Sequence, residues 1–406
     1  MYTSFYIFLS LVIVVIDAVL LYVNRRNPAI LVLNLGFLIF DYSICAGEYL
    51  YHNYLVPKNG LYSTVFGNLY EHGLIVFFIF VLLRYFYFRR RIPMIFIKRK
   101  ESPIIFYGLY IMLLYIGIFE VNREPSIFYE VKITPVYEYS VILFLLIIKY
   151  SGDSKIKQVM VLFIATAFVA QDIYYGGRVT SAQIIIVIGI LLFPHVVRLK
   201  NILITLPFIY VMSSFIGSYR GNRGQGMDWT SFYIELTERF MIFNTSLYAY
   251  FASMGHLYSE KFVGFQERIL SFLGFLLSVL FGSLVSAFTD IDMRYLNVTK
   301  FSNMYHWNVG GGLIFTWFHF WLGPFGLVLF SVLVFKIILS FSRHSRNYIY
   351  LVALVATFPR WYLYSPLAFI RGPLIFLPLI SFTLIVSHGI IRKLFFHNGQ
   401  STKKVN

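Results

Sequence analysis

From Ser4 to Ile391 the chain repeats one pattern. Apolar runs close to the ~20 residues that cross a hydrocarbon core are separated by short polar interruptions. The interruptions richest in cations are Asn24-Arg25-Arg26-Asn27, Arg89 to Lys100, Lys149 to Lys157, Arg198 to Lys200, Arg343 to Arg346 and the tail from Arg392. Between them the pattern predicts helices near 3–23, 28–50, 70–88, 103–120, 135–150, 158–175, 180–197, 202–217, 315–341, 348–365 and 371–391. The expectation is an all-α, polytopic integral membrane helix bundle of about eleven transmembrane helices, within a range of ten to thirteen. It forms a single membrane domain over residues 1–406.

Composition agrees with the pattern. At 59% hydrophobic and 13% charged residues, no soluble domain of this length hides so much apolar surface. The formal charge of +16 would suggest nucleic acid in a soluble protein; here it reflects cationic cytoplasmic loops, and no nucleic-acid partner is expected. With those loops in the cytoplasm, the N-terminus lies outside and the C-terminus inside. Of the acids, which that assignment did not use, Glu101 and Asp153 fall in cytoplasmic loops, and apart from two within helices the rest fall outside or at outer helix ends. Asp17 and Asp41 lie within helices, where a carboxylate is costly unless paired. The single cysteine, Cys45, excludes intrachain disulfides and cysteine clusters. The first helix has no basic region before it and no cleavage signal after it, and is expected to stay attached.

Candidate chemistry gathers on the predicted outer side. Residues 218–312 form one long extracytoplasmic segment; the apolar stretch 264–287 is expected to lie in or re-enter the outer leaflet, the alternative being that it pairs with Phe240 to Tyr258 as an extra hairpin, which would give thirteen spans. Outer-side arginines run against the positive-inside trend: Arg178, Arg220, Arg223, Arg239, Arg294, Arg360 and Arg371. Their forked guanidinium groups suit a phosphate or pyrophosphate. Arg178 follows Gly176-Gly177 in a minimal turn, and Arg360 and Arg371 bracket the last outer turn. Trp229, Trp307 and Trp361 are placed to stack on sugars, or else to form an interfacial belt. His319, within Trp317-Phe318-His319-Phe320-Trp321, is a candidate base or a packing residue. Asp290-Ile291-Asp292 is a weak metal-binding pattern, so no metal or cofactor is expected. A Walker loop, dinucleotide fingerprint, HExxH motif and nucleophile elbow are all absent.

This arrangement resembles the O-antigen and capsular oligosaccharide repeat-unit polymerases, the Wzy family. The resemblance is carried by the Gly176-Gly177-Arg178 turn, the long outer segment with early arginines, Arg239-Phe240, Gly310-Gly311-Gly312 followed by Gly323-Pro324-Phe325-Gly326, and the late arginine pair. Arg178 and Gly189 match an Arg-x10-Gly spacing described in some members, which Arg360 and Gly372 miss by one residue. It implies a GT-C-like glycosyltransferase in the bacterial inner membrane, with a periplasmic N-terminus and a cytoplasmic C-terminus. Its substrates would be polyprenyl-pyrophosphate-linked oligosaccharides in the lipid bilayer, with a chain-length-regulating membrane protein as a further partner. In that reading Arg178, Arg220, Arg223, Arg239, Arg360 and Arg371 grip the anion, Trp361 meets the glycan, and catalysis falls to His319, Arg178 and Arg239. No Asp or Glu follows Asp292, so the base is His319 or a carboxylate of the long segment. The alternatives are an O-antigen ligase, which differs in acceptor, and a flippase for the same lipid-linked oligosaccharides.

Overall fold

A computed structural model of the chain describes residues 4–55, 61–120, 135–174, 179–221, 228–237, 242–281, 298–299, 302 and 311–396. The described residues are helical apart from turns, an irregular connection over 91–100 and one isolated bridge between Glu101 and Ser151. The order is α1 (Ser4–Val23), α2 (Pro28–Leu55), α3 (Leu61–Phe88), α4 (Pro103–Phe119), α5 (Pro135–Tyr150), α6 (Lys155–Tyr174), α7 (Val179–Leu192) and α8 (Leu199–Gly221). Then come α9 (Trp229–Thr237), α10 (Asn244–Ser259), α11 (Phe265–Phe281), α12 (Ile314–Arg343), α13 (Tyr348–Ala356), α14 (Phe358–Leu363), α15 (Leu367–Ile370), a π-helical turn (Arg371–Phe376) and α16 (Leu377–Phe396). Among the described residues, five helices are long and apolar enough to cross a membrane: Pro28–Ala46, Lys155–Tyr174, Leu199–Ile216, Ile314–Arg343 and Leu367–Ile390. Shorter apolar helices, among them Ile7–Val23, His72–Phe88 and Tyr139–Tyr150, complete the bundle.

The basic connections meet at one end, where side chains and backbone close each other's hydrogen bonds. The Asn24 amide donates to the Phe88 carbonyl (2.9 Å) and accepts from the Ile92 N–H (3.1 Å), while Asn27 donates to the Pro93 carbonyl (2.8 Å). Lys100 N–H donates to the Lys149 carbonyl (2.8 Å), Arg99 donates to the Leu191 carbonyl (2.8 Å), and Lys157 pairs with Glu101 at 2.7 Å. Irregular backbone at a helix end needs such partners, and small polar asparagines supply them within the basic loops.

Two predicted single spans are broken. The expected 315–341 helix folds back on itself at Leu322-Gly323, where Gly323 has φ +63° and Pro324 follows. Phe315 stacks on Phe77, and His319 meets His72, so residues 314–321 run against the direction of α3. A Cβ on Gly326 would lie 2.4 Å from the Phe318 carbonyl oxygen, an approach no continuous helix makes between residues eight apart. The stretch from Pro324 to Arg343 alone still reaches ~30 Å, the thickness of a hydrocarbon core. The predicted 348–365 helix is likewise split. α13 has 9 residues and rises only ~14 Å before Thr357 and Pro359 end it.

Within the long 218–312 segment, α10 is packed inside the bundle. Its Ser253 hydroxyl accepts from the Leu313 N–H (2.7 Å), and its His256 ring lies 3.1 Å from the Thr316 hydroxyl. Gly312, at φ +121°, sits so close to His256 that an added Cβ would come within 2.3 Å of the ring. That glycine is required both by its backbone conformation and by this contact.

Asp17 and Asp41 find a common partner in Arg84 of α3. All three are fully buried, and one guanidinium nitrogen reaches both carboxylates, Asp41 at 2.9 Å. The Tyr362 hydroxyl donates to the other Asp41 oxygen at 2.5 Å, and the guanidinium lies 3.9 Å from the Phe37 ring centroid. This joins α1, α2, α3 and α14 through one polar knot. Removing the cation leaves two buried carboxylates facing each other, so Arg84→Met should cost about 3–5 kcal/mol. Adding Asp17→Asn and Asp41→Asn should restore part of that loss. Thermal unfolding in a mild detergent measures both, and an Arg84→Met protein as stable as wild type contradicts the assignment.

Candidate active site

Local breaks in the last part of the chain place two arginines on one cavity. α14 closes with the N–H groups of Tyr364 and Ser365 both bonded to the Arg360 carbonyl. The Ser365 hydroxyl then accepts from the Leu367 N–H (3.2 Å) and starts α15. Pro373 has no N–H to give the Phe369 carbonyl, and the backbone widens into the π-helical turn that begins at Arg371. The cavity, of about 360 Å³, is lined by Arg360, Tyr364, Ser365, Leu367, Ala368 and Arg371, with Tyr139 of α5 and Val179 of α7. Arg371 also donates to the Ser278 carbonyl of α11, which fixes the direction of its fork. Tyr139 and Tyr364 are partly exposed, at 36% and 45%, so the wall combines two cations with two aromatic faces. Such a wall suits an anionic group joined to a sugar.

Val179 directly follows the Gly176-Gly177-Arg178 turn in sequence. On either side of that turn, the Asp172 carboxylate accepts from the N–H and the hydroxyl of Ser181, each at 2.8 Å, which ties α6 to the start of α7.

A second polar group lies in the buried first half of α12. His319 Nδ1 is 2.8 Å from Oε1 of Glu260, the residue that ends α10. The other Glu260 oxygen is 3.6 Å from Arg268 of α11, and the His72 ring of α3 stands edge-on to His319 at 5.3 Å. The two groups are linked through backbone: the Gly312 N–H at the head of α12 donates to the Leu363 carbonyl (3.1 Å), beside the cavity residue Tyr364. His319 is seven residues beyond that contact, ~10 Å along the helix.

No family model, no curated protein and no solved structure matches the chain.

The structure thus brings Arg360 and Arg371 together and gives His319 a carboxylate partner. Arg178, Arg223, Arg239, Arg294, Trp307, Asp290 and Asp292 lie outside the described residues, and Arg220 is described only as backbone near the end of α8. Trp361 is a correction. It is fully buried, its indole N–H donates to the Leu354 carbonyl (2.8 Å), and it packs on Phe358 and Phe369. It has no free face for a sugar, because α13 is too short to carry it to the surface. Trp229 of α9 is exposed at 66%. Nothing local in the sequence singles out Glu260, Arg268, His72 or Tyr139 as site residues, since their partners are distant in sequence.

These placements separate two tyrosine and tryptophan variants. Trp361→Ala opens a core cavity and should cost ~3–5 kcal/mol, seen as lost membrane abundance and earlier thermal unfolding. Tyr364→Ala removes a cavity wall that is half exposed and should leave abundance near wild type. Equal abundance of the two variants contradicts the burial of Trp361.

Proposed function

We propose that this protein is a polysaccharide polymerase of the bacterial inner membrane. It joins polyprenyl-pyrophosphate-linked oligosaccharide repeat units into O-antigen or a related surface polysaccharide at the outer face. The observation that carries this reading is the convergence of Arg360 and Arg371 on one cavity with aromatic walls, in an apolar helical bundle whose basic loops meet at one end. In this reading the basic end faces the cytoplasm, about eleven helices cross the bilayer, and the 218–312 segment opens on the outer side with α10 drawn into the bundle.

The arginines hold the pyrophosphate of the donor and stabilise the charge that grows on it as the glycosidic bond breaks. His319 takes the proton of the acceptor hydroxyl. The lipid tail stays in the bilayer beside the bundle, and a chain-length-regulating membrane protein is the expected partner. The outer arginines of the undescribed turns, Arg178, Arg223 and Arg239, are assigned to the same anion, together with Arg220.

The orientation is checked by cysteine labelling at Asn222→Cys and Asn297→Cys, which should react with a reagent confined to the outer face. Reaction with a cytoplasm-confined reagent contradicts the topology. The activity is checked by the glycan ladder formed from purified lipid-linked repeat units. Arg360→Lys and Arg371→Lys keep the charge and lose the fork, so both should be impaired at matched protein amounts, and Arg178→Ala should lose about a hundredfold in rate. Deletion of the gene should leave a single repeat on its anchor. Complete loss of anchored glycan would instead indicate a ligase or a flippase.

A further inference from the structure

A histidine can accept a proton at one ring nitrogen only if the other holds the hydrogen, and a hydrogen-bond acceptor at the second nitrogen sets that tautomer. His319 meets this condition. It is 5% exposed, on a helical segment buried on all sides from Ile314 to Trp321, and Nδ1 is directed at the Glu260 carboxylate at 2.8 Å. Among the described residues Nε2 has no hydrogen-bond partner.

Glu260 is itself held. Oε2 faces Arg268 at 3.6 Å, and the Arg268 guanidinium also donates to the Phe320 carbonyl at 3.4 Å, one residue beyond His319. The carboxylate therefore cannot rotate away without breaking contacts to both α11 and α12. Among the described residues, the charged and titratable groups around His319 are Glu260 at the end of α10, Arg268 on α11 and His72 on α3, with Lys261 acting on His72. Glu260 is the carboxylate among them, and an anion is what stabilises an imidazolium as it forms.

We propose that Glu260 is the positioning residue of this site: it fixes His319 with hydrogen on Nδ1 and leaves Nε2 to accept the proton of a sugar hydroxyl. The proposal rests on the polymerase reading. In the step it serves, the acceptor hydroxyl oxygen forms a bond to the anomeric carbon of the donor sugar as its proton passes to Nε2. The bond from that carbon to the pyrophosphate oxygen breaks, and its electron pair leaves with the polyprenyl pyrophosphate. The imidazolium, balanced by Glu260, then returns its proton to water. Arg268 keeps the carboxylate in place and touches neither sugar nor phosphate.

The test uses full-length protein in lipid nanodiscs with ¹⁵N-labelled histidine, the His319 signals being identified by their absence in His319→Gln. In the wild type, Nδ1 should be the protonated nitrogen and Nε2 the unprotonated one; the reverse assignment overturns the proposal without any Glu260 variant. Glu260→Leu should lose the fixed tautomer, and Glu260→Asp should keep it in part. With lipid-linked repeat units as substrate, Glu260→Leu should lower kcat by about a hundredfold and change KM little. A Glu260→Leu protein with the wild-type nitrogen pattern, or with the wild-type kcat, overturns the role of Glu260 alone. A wild-type protein that elongates no repeat units, yet shows the expected nitrogen pattern, removes the polymerase reading and with it the catalytic use of the pair.

Discussion

One guanidinium with no exposed surface holds the architecture together. In an apolar bundle, Arg84 is tolerable only because Asp17 and Asp41 meet it from two other helices. Asp41 is engaged at both oxygens, and its second partner is Tyr362, which lies 321 residues away in sequence. The knot therefore does more than fasten the first three helices. It fixes the short α14 segment, so that Arg360 and Tyr364, two residues to either side of Tyr362, can line a cavity.

Away from the basic end, the irregular backbone of the described residues gathers around that cavity and around His319. Continuous helices satisfy their own polar groups, and breaks are tolerated at membrane depth only where protein encloses them. Here each break is anchored by a close contact, and the reversal at Gly323-Pro324 still leaves Phe325 exposed at 68%. Gly312 docks its N–H on the Leu363 carbonyl, the reversal at Gly323 lies against Phe318 through Gly326, and the widened turn at Pro373 begins with an arginine bonded to α11.

The alternation of apolar runs and basic loops was legible from sequence, because lipid and topology act locally on composition. It located the membrane character, the loops that meet at one end and the late arginine pair. It did not find the partner of Asp17 and Asp41, since Arg84 sits inside an apolar helix, and only the packing of three helices shows why. The pattern puts Trp361 near the outer end of a full span, where it would meet a glycan or join an interfacial belt; the span is broken halfway, and the residue falls in the core. The fold-back of α12 is hidden from sequence for a related reason. Gly323-Pro324 signals a break, but its direction depends on what α3 and α10 offer the two halves. Glu260 was one of several acids in the long segment, and nothing local marks it as the one that meets His319.

The central claim is that Arg360 and Arg371 hold the pyrophosphate of a lipid-linked glycan. The most direct measurement is a cryo-electron microscopy structure of the wild-type protein in nanodiscs saturated with polyprenyl pyrophosphate. The account predicts density for a diphosphate between the two guanidinium groups, beside Tyr364 and Val179. An ordered diphosphate bound elsewhere, with that cavity empty, would contradict it.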